Sequence, residues 1–273
     1  MPGSTVCLTF DFDALSVWLA YERVTPAMLA RGEYGARVGV PRVLELLASH
    51  RVPATFFVPG HTVESFPREL QRILAAGHEV AHHSYAHVDP SNQTRAEEEA
   101  DMDRAWRALE AADVTPLGFR APSADLSPST LELVEARPFL YDSSLMADDY
   151  RPFRPRIGDR VARAEPLVRG REAGFWELPL SFELDDWVHF QFNFDPYRRG
   201  GSPPSEVGEI WRAEFDWMDE NVEGGVLTFT MHPQVIARGS RIAMLDGLVR
   251  HMGERGARFS TMADVARGLS SRS

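Results

Sequence analysis

Residues 5–13 read Thr5-Val6-Cys7-Leu8-Thr9-Phe10-Asp11-Phe12-Asp13, an apolar run that ends in two carboxylates. The run predicts a β-strand over 6–10. At a strand end, residues two apart point the same way, so Asp11 and Asp13 can face one site, an arrangement that a cation would offset. The same pattern also caps helices and braces loops, so the pair decides nothing alone. Further along stands His83-Ser84-Tyr85-Ala86-His87. Asp13, His83 and His87 together offer three ligands, with Asp11 left over as a base. A metal-assisted hydrolase needs that set, and the alternative is two surface histidines. Asp89-Pro90 follows at once, so a turn rather than a helix would converge the two rings.

Outward from the first strand, short β-rich runs alternate with helical patterns. Strand candidates lie at 6–10, 54–58, 79–81, 117–120, 139–141, 175–178 and 226–231, with a weaker one at 258–259. Helix candidates lie at 40–49, 66–76, 93–112, from Ser127-Pro128 to 135, at 206–221, at 241–254, and after Thr261. This alternation, with no second compositional regime, predicts one α/β domain over 1–273, a distorted (β/α) barrel of about seven parallel strands. Such barrels carry their active sites on the loops that leave the strand C-termini. Asp11, His83, Arg120, Asp186 and His232 all follow strand candidates. Two stretches read as long loops, each a lid, a subunit contact or a solvated surface loop. One, 147–173, is rich in arginine. The other, 189–204, holds Phe190, Phe192, Phe194 and Tyr197 ahead of Arg198-Arg199.

The net charge of −11 argues against a nucleic-acid partner or an anionic membrane surface. No apolar run reaches the roughly 18 residues of a membrane span. Met1-Pro2-Gly3-Ser4 leads straight into the first strand without a signal pattern, so the expected location is the cytoplasm. Cys7 is the single cysteine, which rules out an intrachain disulfide or a CxxC motif, and its place in the apolar run predicts a buried structural thiol. All 29 basic residues are arginine, so lysine Schiff-base chemistry is excluded. The aromatic loop and acidic balance point to a homo-oligomer.

Arg120 ends a strand candidate in Gly118-Phe119-Arg120-Ala121-Pro122, where it can form a surface salt bridge or lower the pKa of a neighbouring aspartate. His232 follows the 226–231 run; it is structural, or a proton donor kept charged by Asp185-Asp186-Trp187. His82 is expected to support its neighbour and His78 to pack or cap.

With these residues in place, the chain resembles the polysaccharide deacetylases, the NodB-homology or carbohydrate esterase 4 family, over 6–232. Its cytoplasmic allantoinase-like and cyclic-imidase-like branch is the nearest in pattern. Thr9-Phe10-Asp11-Phe12-Asp13 is similar to the family's Thr-Phe-Asp-Asp-Gly, and His83 to His87 matches its His-Ser/Gly-x-x-His. Arg120-Ala121-Pro122 matches Arg-x-Pro, Asp186-Trp187 an Asp-Trp motif and Met231-His232 Leu-His. The resemblance implies Asp11 as general base and Asp13, His83 and His87 as ligands of a divalent metal. Zn²⁺ is the first choice, and the ligand type also admits Co²⁺, Ni²⁺ or Fe²⁺. It implies Arg120 as the residue that positions Asp11, His232 as general acid supported by Asp186, Trp187 as a wall of the acyl pocket, and a backbone N–H at Ser123 as oxyanion donor. Three departures stand out: Phe12 between the aspartates, Ala14 in place of Gly, and Ser123 in place of Tyr. The implied reaction is hydrolysis of a non-peptide amide. The substrate is an N-acetylated amino sugar, or alternatively a small cyclic amide as in imidases and allantoinases.

Overall fold

Thr5–Asp11 forms β1, and all seven of its residues are buried. On one side it pairs in parallel with β7 (Val226–Met231), Thr5 opposite Val226 and Phe10 opposite Met231. On the other side its first half meets β8 (Arg258–Phe259) and its second half β2 (Thr55–Val58). The sheet continues through β3 (Glu79–His82), β4 (Gly118–Phe119), β5 (Tyr141–Asp142) and β6 (Trp176–Glu177), each pair parallel. Seven parallel strands thus curl into an incomplete barrel in the order β6-β5-β4-β3-β2-β1-β7. The computed structural model describes residues 3–20, 24–194, 197–198 and 200–271.

Alternation along β1 sorts its residues. Val6, Leu8 and Phe10 join the larger core cluster under the helices, where Phe10 stacks on Phe56 at 5.1 Å. Cys7 turns the other way, into a cluster with Phe57, Ala81, Tyr141 and Leu178. Thr9 and Asp11 share that second face by the period of two. Burial pushes the Cys7 thiol up to about 12, so it is an inert packing group.

Among the described residues, no strand fills the gap between β6 and β7. A short segment does so instead. Phe153 exchanges backbone hydrogen bonds with Glu177 of β6, and the Tyr150 carbonyl accepts the Val226 N–H of β7. Higher up, Asp185 bridges Thr230 of β7. These contacts satisfy edge groups that would otherwise be left open.

The outer layer is helical: α1 (Pro26–Tyr34), α2 (Val40–His50), α3 (Gly60–Ser65), α4 (Pro67–Ala75), α5 (Arg95–Glu110), α6 (Thr130–Glu135), α7 (Asp186–Phe190), α8 (Pro204–Asn221), α9 (Pro233–Ile236), α10 (Gly239–Glu254) and α11 (Met262–Ser270). The α5 start is a full capping box, Thr94 with Glu97. On α8, Trp211, Phe215 and Met218 fall on one face and pack into the core. Among the described residues, no helix is long and apolar enough to cross a membrane.

The helix expected at 66–76 forms as α4, and the short α3 ahead of it ends just before Phe66. Three other readings need correction. The helix expected from Ser127 starts at Thr130, because Ser127 spends its hydroxyl on Glu98 and on the Ser129 N–H. A helix, α1, precedes residue 40 and joins α2 through a π-helical turn, Gly35–Gly39. There the missing side chain matters: a Cβ on Gly39 would sit 2.5 Å from the Pro233 carbonyl oxygen. The arginine-rich stretch is not a structureless loop. Arg156–Ile157 pairs with Arg171–Glu172, and Arg160–Ala162 with Glu165–Val168, as an antiparallel arm. Of the aromatic loop, Asn193–Phe194 pairs with Tyr197–Arg198, while residue 199 and the side chains of Phe194 and Tyr197 lie outside the described residues.

Candidate active site

Asp11 is the last residue of β1 and points up the barrel interior. Arg120, just past β4, meets it there, with Nη1 2.7 Å from Asp11 Oδ1 and 2.9 Å from Thr9 Oγ1. The rest of the guanidinium is fixed. Nε donates to the Ser143 carbonyl and Nη2 to Ser143 Oγ, both at 3.0 Å, and the group lies 4.0 Å from the Phe57 ring centre. Burial alone would raise the Asp11 pKa. The charge and hydrogen bond of Arg120, with the charge of His232, outweigh it and hold the carboxyl below its ordinary value.

His83 follows β3. Its Nδ1–H donates to the Arg120 carbonyl at 2.8 Å, so Nε2 carries the lone pair. That lone pair faces Asp13 Oδ1 at 3.6 Å and Asp11 Oδ2 at 3.8 Å. His87 Nε2 lies 3.8 Å from the same Asp13 oxygen. Asp13, His83 and His87 each offer one atom within 4.8 Å of the others. Asp13 Oδ1 and His83 Nε2 are buried and find no hydrogen-bond partner in the protein. Two acceptors facing each other without a donor are what a cation would satisfy, so the residues fit a divalent metal. Burial lowers the pKa of His83 and brings His87 down to about 3, which keeps both neutral as ligation requires. The carbonyl acceptor on His83 Nδ1 is the outer support that metal-binding imidazoles use.

The local backbone is strained to achieve this. Ala14, Ser84, His87, Ser123 and Ala124 all have left-handed φ, between 49° and 58°, without being glycine. Such residues cost roughly 1–3 kcal/mol each and persist where surrounding contacts fix them. Asp13 is fixed by its carbonyl, which accepts from Thr62 Oγ1 at 2.6 Å and Ser16 Oγ at 2.8 Å. Phe12, the extra residue between the aspartates, is fully buried and packs near Phe66 at 6.3 Å, so the insertion is absorbed by the core.

His232 leaves the end of β7. Asp186 Oδ1 accepts from its Nδ1 at 2.7 Å, and the same carboxylate accepts the His232 backbone N–H. Nε2 is aimed at the two aspartates, 4.0 Å from Asp11 Oδ2 and 3.8 Å from Asp13 Oδ2. Burial opposes the charged form, but the hydrogen bond to Asp186 and the charges of Asp186, Asp185 and Asp13 push the His232 pKa up to about 10. Trp187 flanks the imidazole at 5.0 Å. Ser123, in contrast, is exposed and gives its hydroxyl to Asp89 at 2.7 Å, which leaves only its backbone N–H for a site role.

A family model described as polysaccharide deacetylase matches residues 1–139, just over half of the chain. The peptidoglycan deacetylase of Helicobacter pylori is 33% identical over 94% of this chain and 92% of its own length. This chain belongs to the polysaccharide deacetylase family. A crystal structure from Mycobacterium smegmatis, assigned to the polysaccharide deacetylases, superposes with a TM-score of 0.87 at 33% identity, covering 99% of this chain and 91% of that one. The PuuE allantoinase superposes at 0.78 over 97% of this chain and 89% of its own. At 21% identity that likeness concerns the fold alone. As a polysaccharide deacetylase the chain is a hydrolase of amide C–N bonds in N-acetyl groups.

Within this deacetylase, Asp11, Asp13, His83, His87, Arg120, Asp186, Trp187 and His232 are brought to one end of the barrel. Asp186 sits beside β7, on α7, rather than at the end of β6. His82 is structural: Nε2 faces the Met102 carbonyl and Nδ1 accepts the Ser84 N–H. His78 packs beside Phe56. Sequence reasoning missed Ser143, which grips Arg120, and Gln234, whose Nε2 approaches Asp13 Oδ2 at 3.4 Å. Gln234 stands two residues after His232, so proximity to the motif was an available signal. It also missed a pair of buried carboxyls. Glu177 Oε1 accepts the N–H groups of Ser144 and Leu145, and Asp142 Oδ1 accepts from Ser144 Oγ. Their other oxygens, Asp142 Oδ2 and Glu177 Oε2, find no donor, and the two carboxyls are hydrogen-bonded to each other, so they are satisfied by sharing a proton. Burial pushes Asp142 up to about 6 and Glu177 well above its ordinary value.

The pair holds the turn that carries Ser143, and hence Arg120. Its folded pKa values lie above the unfolded ones, so its contribution to stability is complete in acid and is lost as pH rises through the folded values. Glu177→Gln copies the protonated form, with its amide NH₂ donating to Asp142. The variant should therefore be more stable than wild type at pH 9 and similar at pH 5. The wild-type slope that it removes is at most about 1.4 kcal/mol per pH unit for one proton. Urea unfolding at the two pH values measures this. An unchanged slope in the variant would place the titration on another group.

Proposed function

We propose that this chain is a divalent-metal-dependent deacetylase that removes acetyl groups from N-acetylated amino sugars. The observation that supports it best is the convergence at one point: His232 Nε2 lies within 4.0 Å of both Asp11 and Asp13, and Asp13 belongs to the metal-capable triad. Asp13, His83 and His87 would hold the ion, Zn²⁺ before Co²⁺, Ni²⁺ or Fe²⁺, and the chemistry it supplies when bound is Lewis acidity toward the amide carbonyl and the attacking water. Asp11, kept ionised by Arg120, takes the proton of that water. His232 gives its Nε2 proton to the departing nitrogen, and Asp186 holds the resulting charge balance through Nδ1. The backbone N–H at Ser123 donates to the developing oxyanion. Trp187 bounds the space for the acetyl methyl group.

Elemental analysis of protein purified without chelator, with His83→Ala beside it, tests the metal. About one transition ion per chain, lost in the variant, is expected. Acetate release from peptidoglycan fragments and chitooligosaccharides tests the substrate. The fold is shared with an allantoinase, so a cyclic imide belongs in the same screen. Imide turnover without acetate release would replace the deacetylase reading by a cyclic-amide hydrolase.

A further inference from the structure

Beside the active centre lies a cavity of about 170 Å³ bordered by Trp18, Arg31, Phe190, Gln234, Arg238 and Arg241. Three guanidiniums converge on it in a chain with a net charge of −11. Several surface arginines pair with acids, as in Arg95–Glu132, Arg137–Asp103 and Arg255–Asp219, while others, such as Arg154 on the Gly174 carbonyl and the Trp176 ring, do not. The three at the cavity are of the second kind, and they are gathered at one place. Arg31 Nη2 donates to the Phe192 carbonyl at 2.8 Å and its guanidinium lies 4.9 Å from the Trp18 ring centre. Arg238 stacks on Tyr34 at 3.5 Å. Arg241 donates to the carbonyls of Val235 and Phe190, at 3.0 and 3.4 Å. Carbonyls and ring faces orient a guanidinium without neutralising it. Among the described residues, none of the three has a carboxylate within ion-pair distance. Arg238 repels both neighbours, and the Asp186 charge that reaches Arg241 is already engaged by His232. Like charges gathered around a cavity are relieved by an anion.

Gln234 joins the cavity to the reaction centre. Gln234 is 6% exposed, its Oε1 has no hydrogen-bond partner, and its Nε2 approaches Asp13. Phe190 ends the same short helix that carries Asp186 and Trp187. Trp18, on the far wall, packs against Trp187 at 6.0 Å. The volume exceeds that of several waters at roughly 30 Å³ each, which is room for a carboxylate or phosphate group and the first atoms behind it.

We propose that this cavity is a subsite for a small oxyanion, a carboxylate or phosphate group, bound by Arg31, Arg238 and Arg241 next to the deacetylation centre. Its role in selecting anionic over neutral N-acetyl sugars rests on the deacetylase reading; the binding itself does not. Arginine forks suit both oxyanions.

Calorimetric titration of the metal-loaded full chain with inorganic phosphate at low ionic strength tests the site, with Arg31→Gln, Arg238→Gln and Arg238→Lys alongside. Wild type should bind phosphate, each glutamine variant should weaken binding about tenfold or more, and Arg238→Lys should retain part of it. Arg238 is exposed just ahead of α10, so its loss spares the core. Two substrates then identify the source of the anion. If the ratio of KM for an N-acetylmuramoyl substrate, with its lactyl carboxylate, to KM for a neutral chitooligosaccharide rises about tenfold in the glutamine variants, the oxyanion is the substrate's own. If that ratio stays constant while phosphate binding is lost, the site stands and serves a free anion. No binding by wild type, or equal binding by all four proteins, overturns the proposal. If neither sugar is deacetylated, the deacetylase reading fails and the titration still decides the subsite.

Discussion

His232→Gln should lower kcat by about 10² to 10⁴, with metal content and folded structure unchanged. Glutamine can still reach Asp186 with its amide, so the support that orients residue 232 survives. It has no proton to give to a leaving nitrogen. The pH profile carries the sign. His232 acts in its protonated form, so the wild-type rate falls as pH rises through its pKa, which Asp186, Asp185 and Asp13 raise to about 10. A cation held by Asp13 would offset one of those charges, so the limb should lie at or below that value. Stopped-time acetate release across pH should show the limb in wild type and lose it in the variant. A variant that keeps near-normal turnover would remove His232 from the chemistry.

The second large effect concerns stability. Arg120→Met should destabilise the protein by about 3–5 kcal/mol, because it leaves Asp11 buried without its cation. For a chain of this size the melting temperature should drop by roughly 6–20 °C. Five contacts of one side chain are at stake: Asp11, Thr9, two on Ser143, and the face of Phe57. The orphaned Asp11 would also climb in pKa and cease to be a base near neutrality. Adding Asp11→Asn to Arg120→Met should recover part of the stability and none of the activity. That divergence separates the two roles of the pair. Equal melting temperatures for Arg120→Met and wild type would mean that the buried pair contributes nothing net.

Much of this was legible from residue order. β1 and β7 are long runs with strong β-formers, and their ends mark Asp11 and His232 correctly. The parity of Asp11 and Asp13 placed both on one side, and the Asp89-Pro90 pair indicated that His83 and His87 meet through a turn. The illegible parts share a cause: their partners are remote in sequence. Helix α1 buries only Gly32, so it shows no apolar stripe to read. Ser143 is an ordinary loop serine until Arg120 arrives from another strand. Asp186 could not be placed by counting from β6, because Asp185 is drawn across to Thr230. In the arm at 156–172 nearly every side chain is exposed, so its pairing leaves no hydrophobic alternation.

That arm leaves and returns at one point. The Ala173 N–H donates to the Pro155 carbonyl at 2.8 Å, and on the barrel side Phe153 is already joined to Glu177. The excursion is therefore a closed appendix whose stem is fastened independently of its length. Closing a longer one costs only an amount that grows with the logarithm of its residues. Trimming or enlarging the outer hairpin, 160–168, should move neither β5 nor β6, because the stem stays tied through Ile157 in the core and Arg171 on Glu135. The chain thus has a place, outside the catalytic framework, where new recognition elements can be grafted without renegotiating the geometry of the reaction.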